Sequence, residues 1–394
     1  MVPKSSQIIS FLKTKPWRLF RSWEYWLSRL YQTAGTFCLL PIYWERSTNT
    51  VQYEKRWLKI VTWAVLTLYL TLDSTYQFYV MCTAPYKAMS IFDILKILLH
   101  GSRRIGASAL IIGFSSNMKN TVKLLNQTID IHHKLKRNYY GDENALIDDG
   151  LLYVNFGTIV LHFQPLGPTL QHLQERGSFR YWGARYLPPS FYNSAFGIAI
   201  FGTMELILCY VSIFGTGYAA TQVIVYAQTT RHWLNILEKD SQKPLAKAWL
   251  TLKNLKLYRT LAVLNCIHNE ACSPVLWPMS QHVLCSVHVI CNVLLIKCFR
   301  LLPLLIGATL FFATVTITLF EKNCLKAAAD VYEISKRFRD RMRRDDSKRN
   351  RIVGRSLRGL RIKVQDAYYF KISTFITFMQ SVVENTINVM LTFF

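Results

Sequence analysis

The chain has 394 residues, of which 51% are hydrophobic and 18% are charged, and lysine plus arginine outnumber aspartate plus glutamate by 47 to 23. The apolar residues form runs of about twenty, the length that crosses a bilayer as a helix, and the charges lie between these runs. This pattern excludes an ordinary soluble enzyme. The nine cysteines lie mostly inside the apolar runs, which excludes a secreted disulfide framework.

Seven segments are long and apolar enough to cross about 30 Å of hydrocarbon as helices. The second contains Arg103 and Arg104, the third contains His162, and the fifth contains several histidines and cysteines, whereas the other four are continuous. We therefore predict an all-α membrane protein whose residues 1–394 form one seven-helix domain. The predicted helices cover 57–81, 88–115, 151–171, 191–222, 275–296, 301–321 and 366–393.

Basic residues are divided unequally between the two sides of these helices. The segment 1–56 and alternate connections carry 36 lysines and arginines, whereas the opposite connections carry 6. By the positive-inside rule, the N-terminus is cytoplasmic and the C-terminus lies outside, in a multi-pass protein of the plasma membrane. The connections 228–274 and 322–365 are then cytoplasmic, and 366–394 forms the last helix.

This orientation is the reverse of that in a metabotropic seven-helix receptor, which remains an alternative. A secondary transporter is a further alternative, because charges lie within the predicted helices. Transporters are commonly built from repeats, however, and the sequence contains no detectable internal repeat.

Two stretches near the predicted helices carry a family resemblance. Residues 34–41, Ala-Gly-Thr-Phe-Cys-Leu-Leu-Pro, place a glycine and then a proline before the first helix. Residues 356–364 and 369–373 lead into the last helix. With the inverted seven-helix topology and the long basic connection before the last helix, they resemble the arthropod gustatory and odorant receptors.

The end of the chain carries part of the same resemblance. The family signature is Thr-Tyr, five apolar residues and Gln-Phe, and it aligns with residues 386–394. Thr386 and Phe394 match, whereas Ile387 replaces the tyrosine and Phe393 replaces the glutamine.

The resemblance implies a ligand-gated, non-selective cation channel that is opened by a tastant or an odorant. It implies a homo- or hetero-tetramer of related subunits, with cations, membrane lipid and a small molecule as partners and no cofactor. The last helix of each subunit would line the pore. The second, third, fourth and sixth helices would enclose the ligand, and the cytoplasmic ends of helices four to seven would form an anchor that joins subunits.

The last predicted helix has polar residues every three or four positions, which places them on one helical face. In hydrocarbon such a face turns to water, as in a pore, or to another helix as hydrogen-bonding glue. Val389 and Met390 interrupt the face near its outer end, as a hydrophobic gate would, and Phe378 is expected to face lipid. The polar residues are Thr374, Thr377, Ser381, Asn385, Asn388 and Thr392. The predicted pore residues are Ser381, Asn385, Asn388, Val389 and Thr392.

A small-molecule pocket among the helices should be mainly apolar with a few polar groups. The predicted lining residues are His162, Gln164, Phe201, Glu205 and Phe312. A lone histidine in a helix is more often packed than ligand-binding, so packing remains the alternative for His162.

The expected depth of three charged residues in the bilayer suggests an ion pair inside the helical bundle. If the second helix runs inward from residue 88 and the fourth from residue 191, then Arg103, Arg104 and Glu205 lie near the middle of the bilayer. An unpaired charge costs several kcal/mol at that depth, about 2.5–3.5 on insertion scales. We therefore predict that Glu205 pairs with Arg103 or Arg104. The alternative is a second helix that breaks near His100, so that its arginines reach an outer vestibule.

Other motifs have simpler interpretations. The basic run over 336–358 fixes topology or contacts anionic headgroups, and it lacks the aromatic residues of a nucleic-acid interface. The segment 246–270 is amphipathic and is predicted to extend the fifth helix in the cytoplasm. Residues 214–218, Phe-Gly-Thr-Gly-Tyr, are expected to allow close helix packing rather than to form an ion filter.

No metal site and no enzyme activity are predicted. A histidine or cysteine repeats at every third position of the fifth helix, and ligands strung along one helix cannot converge on a zinc ion. These residues are His282, Cys285, His288 and Cys291. The sequence contains no phosphate-binding glycine loop and no nucleophile elbow.

Overall fold

The computed structural model describes residues 23–140, 165–175, 177–178, 180–240, 250–298, 304–345 and 347–393. Within these ranges the chain is predominantly helical, as predicted, with two short antiparallel hairpins. The helices are α1 Trp23–Thr36, α2 Trp57–Thr83, α3 Ile91–Ser116, α4 Met118–Tyr140, α5 Leu166–Gln174, α6 Trp182–Tyr186, α7 Pro189–Tyr192, α8 Ala195–Asp240, α9 Leu250–Cys272, α10 Leu276–Cys298, α11 Leu304–Arg343, α12 Lys348–Ser356 and α13 Thr374–Phe393. The strands are β1 Ile42–Glu45, β2 Thr50–Tyr53, β3 Lys363–Val364 and β4 Tyr368–Tyr369.

Six of the predicted membrane helices coincide with α2, α3, α8, α10, α11 and α13. The third, at 151–171, lies mostly outside the described residues, so the total of seven and the orientation stay predictions. Among the described residues, two helical segments are long and apolar enough by composition to cross a bilayer, Ala195–Gly215 and Leu276–Lys297.

The helix α2 exposes an apolar stripe along one face. Its exposed side chains recur at helical spacing, and a water-surrounded protein rarely leaves so long an apolar row uncovered. The stripe therefore fits a helix that contacts lipid or another chain. It comprises Trp57, Val61, Val65, Leu68 and Leu72.

Two helices are much longer than a bilayer is thick. The helix α8 has 46 residues and α11 has 40. At about 1.5 Å per residue they extend roughly 69 Å and 60 Å, about twice the hydrocarbon thickness. The C-terminal halves of both helices therefore project beyond any membrane that their apolar N-terminal halves span.

The boundaries of α3 and α9 have local causes. The hydroxyl of Ser90 accepts a hydrogen bond from the Asp93 N–H at 3.2 Å, which caps the start of α3. At the other boundary, Pro274 disfavours a helical conformation at Ser273, and α9 ends at Cys272 before α10 begins. The prediction that 246–270 extends the fifth helix is therefore wrong: the segment contains a separate helix, α9, which packs against α4.

The last helix begins at Thr374, eight residues after its predicted start at 366. The preceding residues pair as the β3–β4 hairpin, with Lys363 opposite Tyr369 and Val364 opposite Tyr368. Gln365 adopts a left-handed conformation with φ of 52°, which forms the turn. The predicted helix 366–394 is therefore too long at its start, because this turn reverses the chain.

The hairpin is fixed to the junction of α9 and α10. The side chains of Asn265 and Asn269 both donate to the carbonyl of Arg361, at 3.1 and 2.8 Å. The Gln365 N–H donates to the Ser273 carbonyl at 3.1 Å. The start of α13 is consequently tied to the end of α9.

A buried aromatic cluster reinforces that junction. Trp277 packs on Phe370 with ring centroids 4.4 Å apart, and its Nε1–H donates to His268 Nε2 at 3.3 Å. Burial lowers the pKa of His268 to about 3, so the ring stays neutral and accepts this bond at physiological pH.

The helices α8, α9, α11 and α12 form a bundle on the side of the predicted cytoplasmic connections. Arg231 of α8 pairs with Asp330 of α11 at 2.8 Å, and Tyr258 of α9 stacks on Phe338 of α11 at 5.3 Å. The bundle holds together the C-terminal halves of α8 and α11, which project beyond the apolar N-terminal halves of these helices. We call it the anchor bundle.

The helix α3 lies at the centre of the other half of the molecule and packs against α2, α8 and α10. Small residues bring these backbones close together. A Cβ on Gly106 would lie 2.3 Å from Val283 of α10, and a Cβ on Gly215 of α8 would lie 2.4 Å from Ile111 of α3. Residues 214–218 lie within continuous α8, and the fit of Gly215 supports the packing interpretation of that motif.

Gly106→Ala should destabilise the α3–α10 contact by about 1–3 kcal/mol, because the new methyl overlaps the Val283 side chain. Thermal unfolding of the detergent-purified protein measures the loss. Val283→Ala in the same chain should recover part of it. Gly167→Ala is the matched control, since no atom lies within 4 Å of its Cβ position. A larger loss at Gly167 than at Gly106 would contradict this packing.

Candidate ligand and pore sites

Arg104 joins three helices inside the bundle. It lies on α3 and is fully buried. Its Nη2 lies 2.5 Å from Glu205 Oε1 on α8, its Nε lies 3.3 Å from Asp73 Oδ2 on α2, and its Nη1 donates to Ser212 at 3.2 Å. Breaking a buried pair costs about 3–5 kcal/mol because the remaining charge stays unpaired, so this arginine fixes the positions of α2, α3 and α8.

Arg103 is less closely held than its neighbour. Its Nη2 lies 3.8 Å from Glu205 Oε1 and 3.4 Å from His100 Nδ1, and a fifth of its side chain is exposed. The structure thus brings both predicted arginines to Glu205, with Arg104 as the close partner. The helix α3 continues through His100, so the alternative of a break there is wrong.

Asp73 completes this cluster, and sequence reasoning missed it. It lies within the first predicted membrane helix, where a carboxylate is as costly as Glu205 is in the fourth. The sequence placed two arginines and only one carboxylate, Glu205, at this depth. The unmatched positive charge could have indicated a second carboxylate. Asp73 and Glu205 together balance Arg103 and Arg104. We call these four residues the buried charge cluster.

A second polar layer covers the buried charge cluster on its α5–α6 side. Lys96 Nζ lies 2.7 Å from Glu175 Oε1, and Arg180 pairs with the other oxygen of the same carboxylate. Gln77 of α2 donates to the Arg180 carbonyl at 3.0 Å. Residues before α8 are thereby held against α2 and α3.

The predicted pocket residues are only partly described. Phe201 packs between Trp182 and Tyr192, with centroids 5.4 and 5.0 Å away, and it lies one helical turn before Glu205. His162 and Gln164 lie outside the described residues. Phe312 lies in α11, but its side chain is not among those described. A ligand pocket at these positions therefore stays a prediction.

The polar face of α13 points away from the bundle. Asn385, Asn388 and Thr392 are exposed, and Ser381 is half-exposed. The hydrogen bonds of Ser381, Asn385 and Thr392 go to the carbonyl four residues earlier in the same helix. None of these bonds reaches a neighbouring helix, so the face does not act as glue within the described part of this chain.

The opposite contacts of α13 are apolar and buried. Val382 is fully buried against Val293 of α10 and Leu95 of α3. Phe378 and Val389 pack partly against the same cluster. The prediction that Phe378 faces lipid is therefore wrong, because Phe378 lies on the packed face of α13. Val389 shares that packed face rather than the exposed polar face.

The histidines and cysteines of α10 do not form a cluster with a metal-binding arrangement in the described residues. His288 instead contacts α11, with its Nδ1 2.9 Å from Glu321 Oε2 and its Nε2 3.3 Å from Thr318 Oγ1. Both His288 and Glu321 are buried. The pair links α10 and α11.

The basic run lies at the far end of the anchor bundle. Arg337 pairs with Glu238 of α8 at 2.8 Å, and the chain then turns into α12. The helix α11 is continuous from Leu304 to Arg343. If it leaves the membrane near residue 321, its last 22 residues place Arg343 about 33 Å along the axis from the membrane. Headgroup contact by this run is then disfavoured relative to its role in topology.

Comparison with known proteins identifies the fold. No protein-family model and no curated protein sequence matches the chain. The structure of the insect olfactory receptor OR5 from Machilis hrabei in complex with eugenol is similar, with a TM-score of 0.61 and 14% identity over 95% of this chain and 99% of that chain. A second structure of the same receptor is similar with a TM-score of 0.52 and 13% identity over 93% of this chain and 99% of that chain.

The chain therefore has the fold of an insect olfactory receptor over nearly its whole length. This likeness confirms the predicted resemblance to the odorant and gustatory receptors at the level of fold. The prediction that the chain is not an enzyme stays a prediction.

Glu205→Leu should lower surface expression and thermal stability strongly, by about 3–5 kcal/mol, because it leaves Arg104 buried without its closest partner. Arg103→Gln should cost much less, since Arg103 has longer contacts and is partly exposed. Surface labelling and thermal unfolding in detergent measure both effects. Equal losses in the two variants would contradict the assignment of Arg104 as the main partner.

Proposed function

We propose that this chain is a subunit of a chemosensory, ligand-gated, non-selective cation channel in the plasma membrane. A small tastant or odorant opens a pore that is lined by α13. The channel is a homo- or hetero-tetramer of related subunits, with the N-terminus in the cytoplasm. The ligand binds near the predicted pocket residues and the buried charge cluster.

The observation that carries this proposal is the exposed polar face of α13. The helix has 20 residues and is about 30 Å long, which matches the hydrocarbon thickness. Polar side chains cannot face lipid over that length without a large cost. A row of amides and hydroxyls that points away from its own bundle therefore requires water or further subunits.

The other exposed face of α13 supports the same arrangement. Ile376, Val383 and Ile387 are exposed and apolar, and they lie opposite Ser381 and Asn388 on the helix. A helix at a pore has one wet face, one packed face and one face toward lipid or a neighbouring subunit. The three faces of α13 fit that description.

The ligand part of the proposal is supported by the fold and by the buried charge cluster. The similar receptor OR5 was solved with eugenol, a small molecule. In this chain, Arg103 is the member of the cluster with the longest contacts and partial exposure, which leaves it available to a polar group on a ligand. Phe201 and its aromatic neighbours lie one turn away and offer apolar contact.

A packed route connects the two sites. The helix α3 carries Arg103 and Arg104, and near its start Leu95 belongs to the same buried cluster as Val293 of α10 and Val382 of α13. A ligand that shifts α3 against α8 would therefore act on α13 through one layer of side chains. Coupling of this kind needs a ligand with different affinity for the closed and open states.

Expression of the chain alone, with current recording during application of sugars, bitter compounds and volatiles, tests the proposal. We expect a cation current that at least one compound increases, with no requirement for a second messenger. Cell-surface chains that give neither basal nor ligand-evoked current, also with related subunits present, would contradict it.

Asn388→Ala should change basal leak or the permeability ratios about two- to tenfold, the effect of losing one hydrogen-bonding group worth about 0.5–1.5 kcal/mol. Ile376→Ala is the matched control on the apolar exposed face and should leave both quantities unchanged. Reversal potentials and unliganded current measure the two effects. Sensitivity at Ile376 with none at Asn388 would move the pore to another face.

A further inference from the structure

The helix α13 contains a single ionisable residue, Glu384. It lies ten residues after Thr374, so it is about 15 Å from the start of the helix and close to the middle of its length. The side chain is exposed. A carboxylate facing lipid at the bilayer centre is strongly disfavoured, so Glu384 must face water or a cation.

Glu384 has no cationic partner in the described part of the chain. Its hydrogen bond comes from Gln380 Nε2, which lies 2.7 Å from Glu384 Oε1 on the preceding turn. This carboxylate therefore differs from Glu205 and Glu321, each of which faces a basic group at 2.9 Å or less. The negative charge is available to a group outside the chain.

The position of Glu384 places it beside the polar face. At 100° per residue, it lies about 60° from Ser381 and about 40° from Asn388 on the helical wheel. It lies about 80° from Ile376 and about 60° from Ile387, so it stands at the border between the polar face and the apolar exposed face. Water that reaches Asn388 would therefore also reach the Glu384 carboxylate.

The charge of the rest of the chain makes this residue important. The formal net charge is +24, and 15 lysines and arginines lie between residues 322 and 365, just before α13. Lys363 lies in the β3–β4 hairpin directly before α13 and Arg361 lies just ahead of it, so their charge repels cations at the inner end of the pore. The Arg361 guanidinium and the Lys371 amine lie 4.6 and 4.9 Å from the Tyr369 ring centre. An aromatic ring carries no net charge, so these contacts leave both positive charges uncompensated.

We propose that Glu384 is the cation-binding residue of the pore, with Gln380 as the residue that positions its carboxylate. Copies of α13 around a common axis would form a ring of carboxylates that attracts hydrated cations, excludes anions and favours divalent over monovalent cations. This inference rests on the proposed channel function. It adds a specific ion site to a part of α13 that has no other charge.

Glu384→Gln keeps the shape of the side chain and removes its charge. We expect the Ca²⁺/Na⁺ permeability ratio to fall about fivefold, which is the Coulomb effect of one carboxylate on one additional ionic charge at about 4 Å in water. The Na⁺/Cl⁻ ratio should fall as well. Reversal potentials in bi-ionic and diluted solutions measure both ratios, with inorganic Na⁺, Ca²⁺ and Cl⁻ as the probes.

Gln380→Glu adds a carboxylate on the adjacent turn and removes the hydrogen bond from Gln380 Nε2 to Glu384. The added negative charge outweighs the lost positioning, so the Ca²⁺/Na⁺ ratio should rise. It also tests the proposal if Glu384→Gln fails to reach the cell surface. Asp130→Asn is the control, because it removes an exposed carboxylate, paired with Lys134, from α4, away from α13. Both permeability ratios should stay at their wild-type values in this variant.

The outcomes separate this site from the channel function itself. A shift in opposite directions for Glu384→Gln and Gln380→Glu, with none for Asp130→Asn, supports the ion site. Gated currents with unchanged ratios in Glu384→Gln, or in Gln380→Glu if only that variant is expressed, overturn the ion site and leave the channel intact. Absence of any current from wild-type chains at the surface overturns the channel function first.

Discussion

A polar group inside hydrocarbon must find a partner or reach water, and this constraint decides where the helices of this protein lie. Arg104 satisfies it within the chain by contacting Glu205, Asp73 and Ser212. The exposed face of α13 does not, because its hydrogen bonds stay within its own helix. The first arrangement locks three helices together, and the second requires an environment beyond the single chain.

The buried charge cluster and the polar face of α13 are connected through one set of packed helices. The helix α3 contributes the arginines at its middle and Leu95 near its start, and α10 lies between α3 and α13. The start of α13 is held separately by the hairpin, whose Arg361 carbonyl accepts bonds from Asn265 and Asn269. The last helix is therefore constrained at its start by the anchor bundle and along its length by the helices that carry the charges.

The apolar runs predicted the helices well because each run of about twenty residues has few alternatives to a membrane-length helix. The boundaries were less predictable. The β3–β4 hairpin depends on a left-handed Gln365 and on bonds to α9, and neither leaves a mark in the local sequence. Hydrophobic periodicity identified the packed leucines of α9, whereas the break at Pro274 separates that helix from α10.

The charge cluster was predictable in part for a physical reason. Depth along two apolar runs placed Arg103, Arg104 and Glu205 at the same level, and the cost of burying an unpaired charge predicted that Glu205 pairs with one of the arginines. Asp73 was missed because its run was treated as uniformly apolar. On α13, helical spacing identified the polar face, and the same spacing places Val389 seven residues after Val382, on the face that packs against α3 and α10. Val389 was assigned to the polar face because it follows Asn388 in the sequence, although consecutive residues lie about 100° apart on a helix.

The central claim is that the polar face of α13 lines a water-filled path. Cysteine substitution along α13, with a cationic thiol reagent applied to open channels, tests it most directly. Modification should change the current at Ser381, Asn385 and Asn388 and leave it unchanged at Ile376, Val383 and Ile387. Modification at the second set with none at the first would contradict a pore at this face of the helix.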